Sequence, residues 1–173
     1  PGAPLPGDPV WAGAHMLTDR QVAGSKARPE DLFWAVTRIG GDVGYYAMNW
    51  AWKIRGWIDQ VIGGVGLRRG RRHPEELRPG ESLDFFRVAE IEPHLGRLLL
   101  QAEMKVPGTA WLEWCAEPAP GGSKLTQTAW FVPRGLVGRL YWWALLPFHA
   151  PIWRLMARRM AKTAERRQEL SPG

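Results

Sequence analysis

With 173 residues the chain is the length of one domain, and a hydrophobic fraction of 45% supports a packed core and excludes wholesale disorder. The net charge of +6 is concentrated in Arg68-Arg69-Gly70-Arg71-Arg72 and in Arg154, Arg158, Arg159, Lys162, Arg166 and Arg167, which suits an acidic partner, a phosphate or an anionic lipid surface. One cysteine, Cys115, excludes an internal disulfide and a cysteine-based metal site, and agrees with a reducing, cytoplasmic compartment.

Residues 1–28 carry Pro1, Pro4, Pro6, Pro9, Gly2, Gly7 and Gly13, the composition of a linker or docking segment, with Trp11 as a candidate anchor. The chain begins with Pro1, shows no basic–apolar–small signal pattern, and reads as a piece of a longer protein. Leu32 to Ile39 is aromatic and β-branched and reads as a strand. After Gly40-Gly41-Asp42-Val43-Gly44 a helix is predicted from Tyr46 to Ile62, with Trp50, Ile54, Trp57, Ile58 and Val61 as its packing stripe and Gly63-Gly64 as its stop.

Four strands are predicted next, over Ser82–Ile91, Arg97–Val106, Thr109–Glu117 and Lys124–Val132, joined by turns rich in proline and glycine. In the second, alternation places Leu98, Leu100, Ala102 and Met104 on one face and Leu99, Gln101, Glu103 and Lys105 on the other. Leu136–Leu146 is apolar nearly all round and is expected to be buried; Pro147 stops or kinks it, and Pro151 opens a second helix to about Gln168. The run from Leu140 to Trp153 is too short and too proline-broken to span a bilayer. The fold class is therefore α+β: an antiparallel sheet packed on a long, kinked C-terminal helix.

No residue pattern describes a self-sufficient catalytic centre. The Gly40–Gly44 loop fails the G-x-G-x-x-G spacing of a dinucleotide site, so its glycines are read as a sharp turn. His15, His73, His94 and His149 are scattered without metal-ligand spacing, so no metal is expected. Cys115 lacks a nucleophile motif. Nucleic-acid binding is disfavoured, because the aromatics occur in core-like patterns. A charged floor from strand residues such as Asp84, Arg87, Glu113 and Gln127 would orient a ligand or move protons if it faced inward, and would be an ion-paired outer face otherwise.

Several stretches together carry a family resemblance: Asp8-Pro9-Val10-Trp11-Ala12-Gly13, Ile39 to Tyr46, Ile54-Arg55-Gly56-Trp57-Ile58-Asp59, Gly63 to Arg72, Leu83-Asp84-Phe85-Phe86-Arg87-Val88, Ala102 to Glu113, and Gln127 to Trp143 continuing through Pro147-Phe148-His149. The element order resembles the helix-grip architecture of the START/SRPBCC superfamily. More narrowly the chain looks like an uncharacterised family found as the C-terminal domain of atypical short-chain dehydrogenase-like, NAD(P)-binding Rossmann proteins of bacteria, with Phe86 standing where that family's motif would have Trp.

The resemblance implies residues 29–170 as a single helix-grip domain binding an apolar or amphipathic small molecule. The expected ligand contacts are Trp50, Trp57, Arg87, Met104, Trp111, Gln127, Tyr141 and Trp142. It also implies a covalently preceding Rossmann domain, to which any NAD(P) would belong, docked through residues 1–28 and the loop of Arg68, Arg69, Arg71 and Arg72. No cofactor is expected in this chain itself. Two alternatives stay open: a cyclase- or lyase-type enzyme using Asp84 or Glu113, and a module peripheral to an anionic membrane, the inner membrane in a cytoplasmic setting.

Overall fold

The structure, a computed structural model, describes residues 16–40, 44–47, 50, 54, 56–57, 60–61, 63 and 76–170. Strands β1 (Leu17–Ser25), β2 (Ser82–Leu83), β3 (Phe86–Glu92), β4 (Arg97–Ala102), β5 (Gly108–Ala119) and β6 (Gly122–Pro133) form one sheet in the order β1-β6-β5-β4-β3-β2. Every pairing is antiparallel. Helices α1 (Pro29–Thr37) and α2 (Gly135–Leu170) pack together, and α2 also lies against β1 and β6.

Register assigns the two faces of the sheet. Leu98 pairs with Trp114, Leu100 with Leu112, Trp114 with Gln127 and Leu112 with Ala129, so these side chains share the face that meets the helices. Together with Leu32, Val36, Phe131, Trp142, Met156 and Met160 most of them form the main core. On the opposite face stand Leu99, Glu113 and Thr128, and beside them Trp111 faces Trp130. Leu99 and Trp111 are buried there but stand apart from the main core cluster.

Three expectations change. The run from Leu32 to Ile39 is helical: α1 begins with Pro29, has Glu30 and Asp31 in its first turn, and buries Leu32, Phe33, Ala35 and Val36. Those are helix N-terminal signals and a helical spacing, which outweigh the β-propensity of the side chains. Buried Asp31 is held by Arg28 at 3.0 Å and Arg167 at 3.5 Å. Residues 17–25, expected as linker, are instead the edge strand β1, paired along its length with β6. Trp11 lies outside the described residues.

The third change concerns the C-terminus. One helix runs from Gly135 to Leu170 through both Pro147 and Pro151. Its first turns are not buried all round: Leu136, Val137, Leu140, Trp143 and Phe148 are 60–70% exposed. In the predicted helix over 46–62, Trp50, Ile54, Gly56, Trp57, Gln60 and Val61 are helical, while Tyr46 is not and has φ 60°. Ile58, Gly64 and Arg68 to Arg72 lie outside the described residues. Gly40 and Gly44 bond to each other through their backbones, and a Cβ on Gly40 would meet Leu83 at 2.5 Å, so the turn there needs glycine.

Candidate functional site

A pocket of about 130 Å³ lies between the sheet and α2. Phe86, Ala102, Ala110, Leu112, Ala129 and Phe131 form its floor, and Met104 and Val106 of the β4–β5 connection form one side. Three of the floor residues are alanines, which is why space remains where larger side chains would meet the helix. The roof is Tyr141, Trp142, Leu145, His149, Ile152 and Trp153, spaced to share one face of α2. Phe131 stacks on Trp142 at 5.6 Å, Trp142 meets Trp153 at 6.3 Å, and His149 lies 4.8 Å from Trp153.

The lining is almost wholly carbon. Among the described residues no Asp, Glu, Lys or Arg contributes to it. Trp153 is buried, and its Nε1 has no hydrogen-bond acceptor.

Of the residues expected to contact a ligand, Met104, Trp111, Tyr141 and Trp142 border the pocket. Trp111 does so from within its strand, because its register with Trp130 turns the ring to the far face. Trp50 and Trp57 do not line it and are 61% and 66% exposed. Arg87 is on the far face, donating to Glu103 Oε1 at 2.6 Å and to the Gly80 carbonyl at 2.7 Å. Gln127 faces the helices but is buried beside Trp114, whose Nε1 donates to its Oε1 at 2.9 Å.

Neither alternative carboxylate reaches the pocket. Asp84, at φ 54° in the β2–β3 turn, accepts a hydrogen bond from the Tyr45 hydroxyl at 3.0 Å. Burial first, then the Asp84 charge and this hydrogen bond, raise the Tyr45 pKa well above its ordinary value. Glu113 accepts from Arg97 Nε at 2.7 Å on the far face, where Glu92 accepts from Arg97 Nη1 at 2.9 Å and Glu90 also pairs with it. Burial alone would lower the Arg97 pKa; hydrogen bonds to Glu113, Glu92 and Glu90 outweigh it and hold that pKa above its ordinary value. No group of three or more His, Cys, Asp or Glu residues able to hold a metal occurs among the described residues.

Sequence reasoning missed Phe86, Ala110, Leu112, Ala129, Phe131, His149 and Trp153 as pocket residues. The signal existed for the strands: each shares the alternation that runs through Leu98, Leu100 and Ala102. It was hidden for the roof, because two separate helices had been expected around His149.

A family model described as protein of unknown function, DUF2867, matches residues 11–156. The chain belongs to the DUF2867 family. No curated protein matches the sequence. Among solved structures, truncated norcoclaurine synthase from Thalictrum flavum is 10% identical with a TM-score of 0.52, over 86% of this chain and 93% of that one. DynU16, a putative protein in the dynemicin biosynthetic locus, is 18% identical with a TM-score of 0.52, over 86% of this chain and 47% of its own. The di-domain ARO/CYC BexL from the BE-7585A biosynthetic pathway is 13% identical with a TM-score of 0.51, over 86% and 46%. The DUF2867 chain thus spans about half the length of the latter two. At such identities the likeness shows the fold alone, which is the helix-grip arrangement of antiparallel sheet and long C-terminal helix.

Proposed function

We propose that this DUF2867 chain binds a small, largely apolar molecule between its sheet and C-terminal helix. The observation that carries this reading is the carbon-lined pocket of about 130 Å³ between the sheet and the helix. A dry cavity of about 150 Å³ holds one benzene-sized guest, whereas pockets for drug-sized ligands run to about 300–1,000 Å³. One ring, or the end of a longer apolar chain, is the matching size. The fold is shared with a norcoclaurine synthase and a di-domain ARO/CYC, and small-molecule binding agrees with those names. Among the described residues no carboxylate lines the pocket, and Asp84 and Glu113 are paired away from it, so binding is the reading favoured over the cyclase or lyase alternative. The family resemblance supports one further part of the proposal, that the bound molecule would be presented to a covalently preceding NAD(P)-binding Rossmann domain.

The test is thermal unfolding with phenol. At ten times its Kd a ligand stabilises by about 1.4 kcal/mol, which raises Tm by roughly 3–6 °C for a chain of this size. Ala129→Leu, which fills the floor, is expected to abolish the shift. An equal shift in wild type and Ala129→Leu would place the binding elsewhere and overturn the reading.

A further inference from the structure

The solvent face of α2 is divided along its length. Leu136, Val137, Leu140, Trp143, Ala144, Pro147 and Phe148 follow the i, i+1, i+4, i+7, i+8, i+11, i+12 spacing of a single helical stripe, and all are exposed. The same stripe continues as Arg154, Arg158, Arg159, Lys162 and Arg166, again all exposed. Each half is about 18 Å long at 1.5 Å per residue. Of the acidic side chains near the basic half, Glu165 is turned to β1, where its Oε1 accepts from the Lys26 amide at 2.8 Å and from Ser25 Oγ at 3.2 Å, and Glu169 is exposed at the end of the stripe. Arg134 and Arg139 flank the apolar half and are exposed as well. The opposite side of the helix is used up in the core and the pocket roof.

Five large apolar side chains that are 60–70% exposed on consecutive turns form a patch that monomeric proteins do not ordinarily leave to water. Its continuation into a stripe with five exposed basic residues, ending at Glu169, identifies the complementary partner as apolar beneath an anionic layer. We infer that α2 is a docking element for an anionic phospholipid surface: residues 136–148 enter the interfacial zone and residues 154–166 lie on the headgroups. Trp143 has the amphipathic ring favoured at that depth. The stems of Arg134 and Arg139 let their charges reach the phosphates while their carbons stay with the apolar half. Among the described residues no helix is long and apolar enough to cross a membrane. The inference is independent of what occupies the pocket.

The experiment is co-sedimentation of the 173-residue chain with phosphatidylcholine vesicles and with mixed phosphatidylcholine–phosphatidylglycerol vesicles, at low and high ionic strength. Binding is expected to the mixed vesicles, weakened by salt. Arg158→Gln with Lys162→Gln should lower the partition coefficient roughly 30-fold at low salt, from about 1 kcal/mol for each basic group near the surface. Leu140→Glu with Trp143→Glu should abolish binding, with an unchanged far-ultraviolet circular dichroism spectrum because both residues are exposed. Absence of binding to the mixed vesicles overturns the inference, as does binding indifferent to the Leu140 and Trp143 changes. Self-association of the wild type without lipid, lost in that apolar variant and unaccompanied by vesicle binding, would assign the face to a second copy of the chain and overturn it equally.

Discussion

Phe131→Ala tests whether the sheet and α2 are held together through the pocket's aromatic wall. The ring is 2% exposed, stacks on Trp142 at 5.6 Å with an interplanar angle of 8°, and meets Tyr141 at 5.9 Å. Buried Phe→Ala changes cost about 3–5 kcal/mol, with the spread set by how much void is left behind. One side of this ring already borders open space, so fewer contacts are lost than at a fully packed site, and the expected cost is about 3 kcal/mol. For a chain of this length that lowers Tm by roughly 6–12 °C. Urea unfolding followed by near-ultraviolet circular dichroism gives the free energy, and an unchanged m-value confirms that the same surface unfolds. The enlarged pocket should also admit a two-ring guest such as naphthalene, seen as a concentration-dependent rise in Tm that the wild type lacks. A loss below about 1 kcal/mol would refute the packing argument.

Gly138→Ala should destabilise α2 even though alanine is the better helix former by about 1 kcal/mol, because the new Cβ would stand 2.3 Å from the Pro107 carbonyl and 2.9 Å from Pro133. A raised Tm would show that the helix can shift away at no cost. The raised Tyr45 pKa means that the folded phenol keeps its proton where the unfolded one, near pH 10, gives it up. The stability it contributes is therefore intact below about pH 10 and is lost as the pH rises beyond it. Tyr45→Phe should flatten that alkaline decline while lowering stability at neutral pH; parallel curves would contradict the assignment. Burial, followed by the Glu113 charge, pushes the Cys115 thiol up to about 11, so labelling by a disulfide reagent at pH 8 should be roughly a hundredfold slower than for free cysteine. Labelling at the free rate would show that the strand opens readily.

The hairpins were legible because their sequences satisfy two requirements together. Arg97–Ala102 alternates in polarity, and Pro120-Gly121 supplies the positive φ at which Ala119 pairs with Gly122 across the β5–β6 turn. Strand β1 was not legible, since Asp19, Gln21 and Ser25 put polar groups on the inner side of an edge strand and mask the alternation. α1 was misread from its side chains, although Pro29, Glu30 and Asp31 carried the stronger positional signal. The apolar run Leu136–Leu146 reads as interior because hydrophobicity records a preference for leaving water, not what covers the surface. Met104, Trp111, Tyr141 and Trp142 stand out in the sequence by size and aromatic character, whereas Ala110 and Ala129, whose smallness leaves the pocket open, carry no such signal.

The two prolines inside α2 have a mechanical consequence. Proline lacks an amide hydrogen, so Pro147 cannot donate to the carbonyl of residue 143, nor Pro151 to that of residue 147. Both omitted links fall in the span that roofs the pocket, between Tyr141 and Trp153. Its stiffness there rests on ring contacts beneath the helix more than on the backbone ladder. The span is consequently held by fewer backbone links than an uninterrupted helix of its length, and the volume below it is set by side-chain packing.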